Sequence, residues 1–154
     1  MKPGSYTQLY VQLIFAVKFR DSCLRKNIRE RVFAYISGII REMNHKSIIV
    51  GGVEDHIHIL IGVNANKSIS ETVHEIKRTS SLFINKEKLC MGKFAWQEGY
   101  GAFSYSRSQL NSVYNYILNQ EEHHHKNSFR KEYIQFLKKF EIEFDEKFLF
   151  EFHD

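Results

Sequence analysis

The fold is decided by the run Ser47-Ile48-Ile49-Val50-Gly51-Gly52-Val53-Glu54-Asp55-His56-Ile57-His58-Ile59-Leu60-Ile61-Gly62-Val63. Two apolar stretches rich in β-branched residues flank the turn Glu54-Asp55, which predicts an antiparallel hairpin with strands over 47–53 and 56–63. Successive side chains of a strand point to opposite faces, so Ile57, Ile59, Ile61 and Val63 share one face and His56 and His58 the other. Isoleucine supplies the buried surface, and two imidazoles are left free for chemistry.

Upstream, Leu9, Val11, Leu13, Phe15 and Val17 alternate with Tyr6, Gln8, Tyr10 and Gln12, the pattern of a half-buried strand over 6–17. A basic connection leads to a helix over 28–43, with Asn27 as its N-cap and Ile28, Val32, Ile36, Ile39, Ile40 and Met43 at helical spacing. Downstream of the hairpin, Ser68 and Glu71 form a capping box for a helix to about 88, which buries Val73, Ile76 and Ile84 and displays Lys77 and Arg78. Two short strands, 94–97 and 102–106, then flank Glu98-Gly99-Tyr100-Gly101, where glycine permits a bend. A helix over 108–124 carries Leu110, Val113, Tyr114 and Ile117 on its apolar side, and another begins near Ser128. The tail over 144–154 alternates acidic and aromatic residues and fits either an edge strand or a docked extension. The order β-α-β-β-α-β followed by helices predicts an α+β, ferredoxin-like fold: a split β-α-β, RRM-like antiparallel sheet with helices on one face, the other face available to a ligand, and added C-terminal helices. Strand order is left open by the pattern.

A length of 154 residues, 43% hydrophobic, fits one domain over 1–154 with a real core, and a single proline and eight glycines argue against a long linker. No apolar stretch approaches the roughly 18 residues of a membrane span, and the start of the chain lacks a secretory pattern, so a cytoplasmic protein is expected. Cys23 and Cys90 form no C-x-x-C pair and are expected as buried, reduced thiols. A net charge of +4 is compatible with a polyanionic partner without requiring one.

On the helix over 108–124, Tyr116 and Gln120 are four residues apart and so lie about 40° from each other around the axis. Tyr114, the rival phenol, falls with Val113 and Ile117 and is expected as a core aromatic. His123, His124 and His125 are consecutive, fan out by about 100° each, and are not expected to converge on one ion. Asp55 and Glu98 are turn carboxylates able to support a nearby site.

His56-Ile57-His58 opening a strand, the segment Trp96-Gln97-Glu98-Gly99-Tyr100-Gly101-Ala102-Phe103-Ser104, and Tyr116-Ile117-Leu118-Asn119-Gln120 together resemble the HUH transposases of single-tyrosine type encoded by bacterial insertion sequences, the IS200-like family. The resemblance covers nearly the whole chain. It implies that His56 and His58 bind a divalent metal, Mg²⁺ or Mn²⁺, that Gln120 is the third protein ligand, and that Tyr116 is the nucleophile. It further implies cleavage and rejoining of single-stranded DNA hairpins at element ends through a 5′-phosphotyrosine, by a homodimer in which one subunit's tyrosine helix can complete the other's histidine site. Two imidazoles and an amide oxygen leave a cation open positions for water and a phosphate oxygen, as Lewis-acid work requires. Lys18, Arg20, Lys77, Arg78 and Arg107 are candidate phosphate contacts.

Two competing functions remain. A non-catalytic single-stranded nucleic-acid module shares the split β-α-β plan but leaves His56, His58, Tyr116 and Gln120 without a purpose. A domesticated hairpin-processing relative would share the chemistry and differ only in not mobilising itself. A zinc domain or metallohydrolase is disfavoured by the lack of cysteine ligands and of an H-E-x-x-H helix.

Overall fold

The expected hairpin forms one half of a four-stranded antiparallel sheet in a computed structural model that describes residues 4–153; residues 1–3 and 154 of the expected domain lie outside them. In chain order the elements are β1 (Tyr10–Ala16), α1 (Lys26–Glu42), β2 (Lys46–Gly52), β3 (His56–Gly62), α2 (Ile69–Lys86), β4 (Gly101–Tyr105), α3 (Leu110–Leu118), α4 (Gln120–Lys126) and α5 (Phe129–Lys139). The sheet order is β2-β3-β1-β4, the split β-α-β arrangement. The register sets Ala16 opposite His56, Ile14 opposite His58, and Gly51 on the far side of His58.

Alternation sorts the sheet into two faces. Leu13, Phe15, Ile57, Ile59 and Ile61 meet α1 and α2 in the main core, joined by Leu24, Val32, Ile36, Ile40, Val73, Ile76 and Trp96. The opposite face carries Gln12, Ile14, Ala16, His56, His58, Leu60 and Phe103. The expectation that this face stands open is corrected: α3 sets Val113 and Ile117 on Leu60, while α5 and the tail set Phe129, Tyr133, Leu137 and Phe150 on Ile14, Ala16 and Phe103. Apolar residues beyond Gln12 demand that cover, since a sheet face bearing Ile14, Leu60 and Phe103 must be taken out of water.

Local differences from the sequence expectation have local causes. β1 begins at Tyr10 rather than Tyr6, because β3 and β4 reach only as far as Gly62 and Tyr105, its partners. Segment 94–97 makes a single bridge, Trp96 to Val17, closed by the backbone bonds Lys18 N to Ala95 O and Gln97 N to Ala16 O, and side chains hold the rest: Asn85 brackets the Phe94 backbone, and Trp96 Nε1 donates to Ser80 Oγ at 2.9 Å. α1 starts at Lys26, with Arg25 and not Asn27 at the N-cap. The capping box of Ser68 and Glu71 forms as expected. The helix expected over 108–124 is a short 3₁₀ turn, then α3, then α4, with Asn119 between them at φ −99° and ψ 26°.

Of the two readings of the tail, the docked extension holds. The Gln97 side chain grips its backbone from both sides, donating to Glu151 O and accepting from Glu151 N, both at 2.7 Å. Cys23 and Cys90, distant in sequence, meet as part-exposed free thiols, with Cys90 Sγ donating to Cys23 O. Among the described residues no helix is long and apolar enough to cross a membrane.

Two glycines let the roof descend onto the sheet. A Cβ on Gly51 would lie 2.8 Å from the Ile117 carbonyl oxygen of α3, and one on Gly101 would lie 2.9 Å from the Tyr133 ring of α5. Backbone oxygen has nowhere to move without shifting α3 itself. Gly51→Ala is therefore expected to lower stability by about 1–3 kcal/mol, read as a fall in the urea midpoint at unchanged slope.

Candidate active site

Four elements converge on one buried carboxylate. β3 supplies His56 and His58, α3 supplies Tyr116, the first residue of α4 is Gln120, and α5 supplies Glu132. Glu132 Oε1 lies 3.0 Å from His58 Nε2 and 3.3 Å from His56 Nε2. Its other oxygen, Oε2, accepts the Tyr116 hydroxyl proton in a short hydrogen bond and lies 3.5 Å from Gln120 Nε2. Gln120 Oε1 is 3.0 Å from His56 Nε2. The break at Asn119 means that Tyr116 and Gln120 are not neighbours on one continuous helix; they meet through Glu132.

Glu132 did not emerge from the sequence, although a signal was present. Phe129, Tyr133 and Phe136 form the apolar stripe of α5, and Glu132 falls inside that stripe. An ionisable residue where the helix turns to the core requires a partner.

The surroundings set opposite states for the two histidines. The His56 ring stacks flat on Phe129 at 3.8 Å, and its Nδ1 meets Asp55 Oδ1 at 2.7 Å. Burial disfavours its cationic form, but the Asp55 and Glu132 carboxylates outweigh burial and raise its pKa to about 9. His58 is held below the usual histidine value by burial, with the nearby His56 charge adding to the effect against the pull of Glu132. Burial works against the Glu132 carboxylate too, yet the two imidazoles keep it ionised well below the ordinary range. Burial, and then the Glu132 charge, hold the Tyr116 phenol far above its usual range. Without added positive charge, Tyr116 is locked as a neutral hydrogen-bond donor.

The donor set fits a divalent cation. His56, His58 and Glu132 present ligand atoms that all lie within 4.8 Å of one another. Glu132 Oε1 stands 3.0 Å from His58 Nε2 and 3.3 Å from His56 Nε2, and Gln120 Oε1 stands 3.0 Å from His56 Nε2; these match the roughly 3 Å edges between neighbouring ligands whose bonds to a cation are about 2.1 Å long. Tyr116 stands at the edge of this cluster, its ring 5.8 Å from that of His58 and stacked on His123 at 4.5 Å. A cavity of about 310 Å³ walled by Gln12, Tyr105, Tyr116, Glu132, Gln135, Phe136 and Lys139 opens beside it.

Other expected residues lie elsewhere. Tyr114 is 39% exposed, so its expectation as a core aromatic is corrected; it lines a groove against α1 and β2. The histidine run fans out as expected: His123 covers Tyr116, His124 turns half-buried toward Glu54 and Asp55, and His125 is exposed. Asp55 does support the site, through His56. Lys77 is not a free phosphate contact, because its ammonium donates to Gln97 O at 2.8 Å and Gly99 O at 2.6 Å; burial lowers its pKa to about 8. Arg78 pairs with Glu75 on α2, across the sheet from the histidines. Lys18 and Arg20 are exposed beyond the His56 end of β1, whereas Arg107 is exposed beyond the opposite end.

Against known proteins, a family model described as "Transposase IS200 like" matches residues 5–120. Among solved structures, a candidate transposase of Deinococcus radiodurans R1 superposes with a TM-score of 0.60 at 22% identity, over 78% of this chain and 96% of the other. A REP-associated tyrosine transposase bound to a REP hairpin gives 0.59 at 13% identity, over 80% of this chain and 74% of the other. These two likenesses show the shared fold. No curated protein matches.

His56 makes stability pH-dependent. Its pKa rises from 6.5 to about 9 on folding, so the ion pairs contribute fully below pH 6.5 and their contribution is lost as pH rises through about 9. In chelator, urea unfolding is expected to show a loss on the order of 3 kcal/mol across that interval, reduced in Asp55→Asn. A flat wild-type profile would contradict a charged His56.

Proposed function

The chain belongs to the family of IS200-like transposases, and from that membership we propose that it cuts and rejoins single-stranded DNA with Tyr116 as nucleophile. The observation that carries this reading is the meeting of the Tyr116 hydroxyl, His56 and His58 on the single carboxylate of Glu132 within one chain.

In the proposed reaction, a scissile phosphate enters the cavity beside Tyr116. The phenolic oxygen attacks phosphorus and the bond from phosphorus to the 3′-oxygen breaks. The DNA keeps its 5′-phosphate as an ester on Tyr116, while the 3′-oxygen leaves and takes a proton from water to become a hydroxyl. Glu132 Oε2 aims the phenol and receives its proton as the new bond forms, because the phenol becomes far more acidic once its oxygen shares electrons with phosphorus. A 3′-hydroxyl from another strand reverses the step and expels Tyr116, so the phosphoester is conserved and no nucleotide triphosphate is consumed. Mg²⁺ or Mn²⁺ held by His56, His58, Gln120 and Glu132 would supply the positive charge that polarises the phosphate and offsets the negative field around the phenol.

A protein of this fold is bound to a REP hairpin, and we extend that class of substrate to this chain: single-stranded DNA folded into hairpins at element ends, met in the cytoplasm. Lys18, Arg20 and Arg107 are the exposed cations proposed for its phosphates. A homodimer is the proposed assembly. Because each tyrosine reaches the histidines of its own chain, the subunits are proposed to act in cis.

Incubation of the full chain with labelled single-stranded DNA from the flanks of its gene tests this. A covalent adduct is expected with Mg²⁺ and not with chelator, absent in Tyr116→Phe and reduced roughly a hundredfold or more in His58→Ala. Mixing Tyr116→Phe with His58→Ala is expected to leave the adduct absent, whereas exchange of tyrosines between subunits would restore it. An adduct that survives Tyr116→Phe sinks the proposal.

A further inference from the structure

The two metal-site histidines are alike in sequence and opposite in how their second nitrogen is held. His56 turns Nδ1 to the Asp55 carboxylate, which can only accept, so Nδ1 carries a proton. A carboxylate behind an imidazole in this way presets the ring that ligates through Nε2. His58 turns Nδ1 to the amide nitrogen of Gln12, at 2.7 Å. An amide N–H can only donate, so Nδ1 accepts and the proton of the neutral ring sits on Nε2, where it is donated to Glu132 Oε1 at 3.0 Å. A ligand needs that Nε2 lone pair free.

Gln12 is placed for more than packing. It is fully buried in the middle of β1, on the face that carries Ile14 and Ala16, where a polar amide is costly unless both ends are satisfied. Its Oε1 accepts from the Tyr105 hydroxyl at 2.8 Å, and both residues wall the cavity beside Tyr116. Glu132, His58, Gln12 and Tyr105 thus form one hydrogen-bonded chain from the site to the cavity wall.

We propose that Gln12 is a positioning residue whose amide orientation sets whether His58 can ligate: when a divalent cation arrives the amide turns over, giving Oε1 to His58 Nδ1–H and Nε2 to the Tyr105 oxygen. This rests on the metal site proposed above. The two ends of the amide are nearly isosteric, so a rotation about the last side-chain bond exchanges them in place. The ring gives its Nε2 proton through Glu132 Oε1 to solvent and takes one from solvent on Nδ1, so its net charge is unchanged. The same turn reverses Tyr105, whose oxygen now accepts from Gln12 and whose hydroxyl, keeping its proton, is free to donate into the cavity toward a phosphate oxygen. Cation at one end and phosphate at the other are read by one amide.

The test joins nitrogen-15 NMR of the imidazoles in the metal-free full chain to Mn²⁺ binding followed by electron paramagnetic resonance. Wild-type His58 is expected to carry its proton on Nε2. Gln12→Glu, which offers only acceptors, moves proton occupancy to Nδ1 and binds Mn²⁺ at least as tightly as wild type. Gln12→Leu keeps the volume without an acceptor and binds about tenfold or more weakly. Tyr105→Phe, at a half-buried position, releases the amide and also raises the Nδ1 occupancy of His58. An unchanged His58 tautomer in Gln12→Glu and Tyr105→Phe, or equal Mn²⁺ affinity in Gln12→Leu and wild type, overturns the inference. Failure of the wild type to bind Mn²⁺ removes the metal reading by itself, and the metal-free NMR comparison then decides the role of Gln12.

Discussion

The Glu132 carboxylate is the contact on which the site depends. It is a buried anion shared by residues from β3, α3 and α4, and it is held on α5. A buried charge is tolerated only when every lone pair has a donor, and here two imidazoles, a phenol and an amide surround the two oxygens. The arrangement ties together segments far apart in the chain, with His58 and Glu132 separated by 74 residues. A cation would take over the role that the imidazole protons now play in balancing that charge. The metal-free arrangement and a loaded one therefore differ mainly in protons, with the same side chains already gathered.

That gathering requires the C-terminal helices to lie close to the sheet, and the closeness is written in small residues. Gly51 sits opposite His58 on β2, and Gly101 sits opposite Ile14 on β4. Each admits the helix above it where any side chain would collide. The apolar positions around them, Ile14, Leu60 and Phe103, supply the attraction that keeps the helices down. Packing on this face thus serves chemistry directly, since a displaced α3 would carry Tyr116 away from Glu132.

Much of this was legible in the chain. Alternation in 47–63 fixed the hairpin and the facing of His56 and His58, and the capping box at Ser68 fixed the start of α2, because both are local signals that tertiary contacts reinforce. Helical periodicity set Tyr114 apart from Tyr116 but put it in the core, whereas it is 39% exposed and lines a groove with residues of α1 and β2. Glu132, Gln12 and the loss of Lys77 to the 97–99 backbone were not legible in this way. Each depends on a partner many residues distant, and pattern within a window carries no information about such partners. The nearest local sign was the polar Glu132 on the apolar stripe of α5, and, for Gln12, the apolar Ile14 and Ala16 that follow it on the same face of β1. Strand 94–97 failed for the opposite reason: its residues suit a strand, but only Val17 remains for it to pair with.

The docked tail has a consequence for timing. Gln97 clasps Glu151, Phe150 packs on Phe129, and Phe129 is the ring against which His56 lies flat. Synthesis proceeds from the amino end, so a ribosome displays the sheet, with its imidazoles and even the phenol, before it has made the parts that enclose them. During that interval the growing polypeptide carries His56, His58 and Tyr116 without the ring and tail that later enclose them. The cluster around Glu132 is therefore completed late, with the last contacts formed.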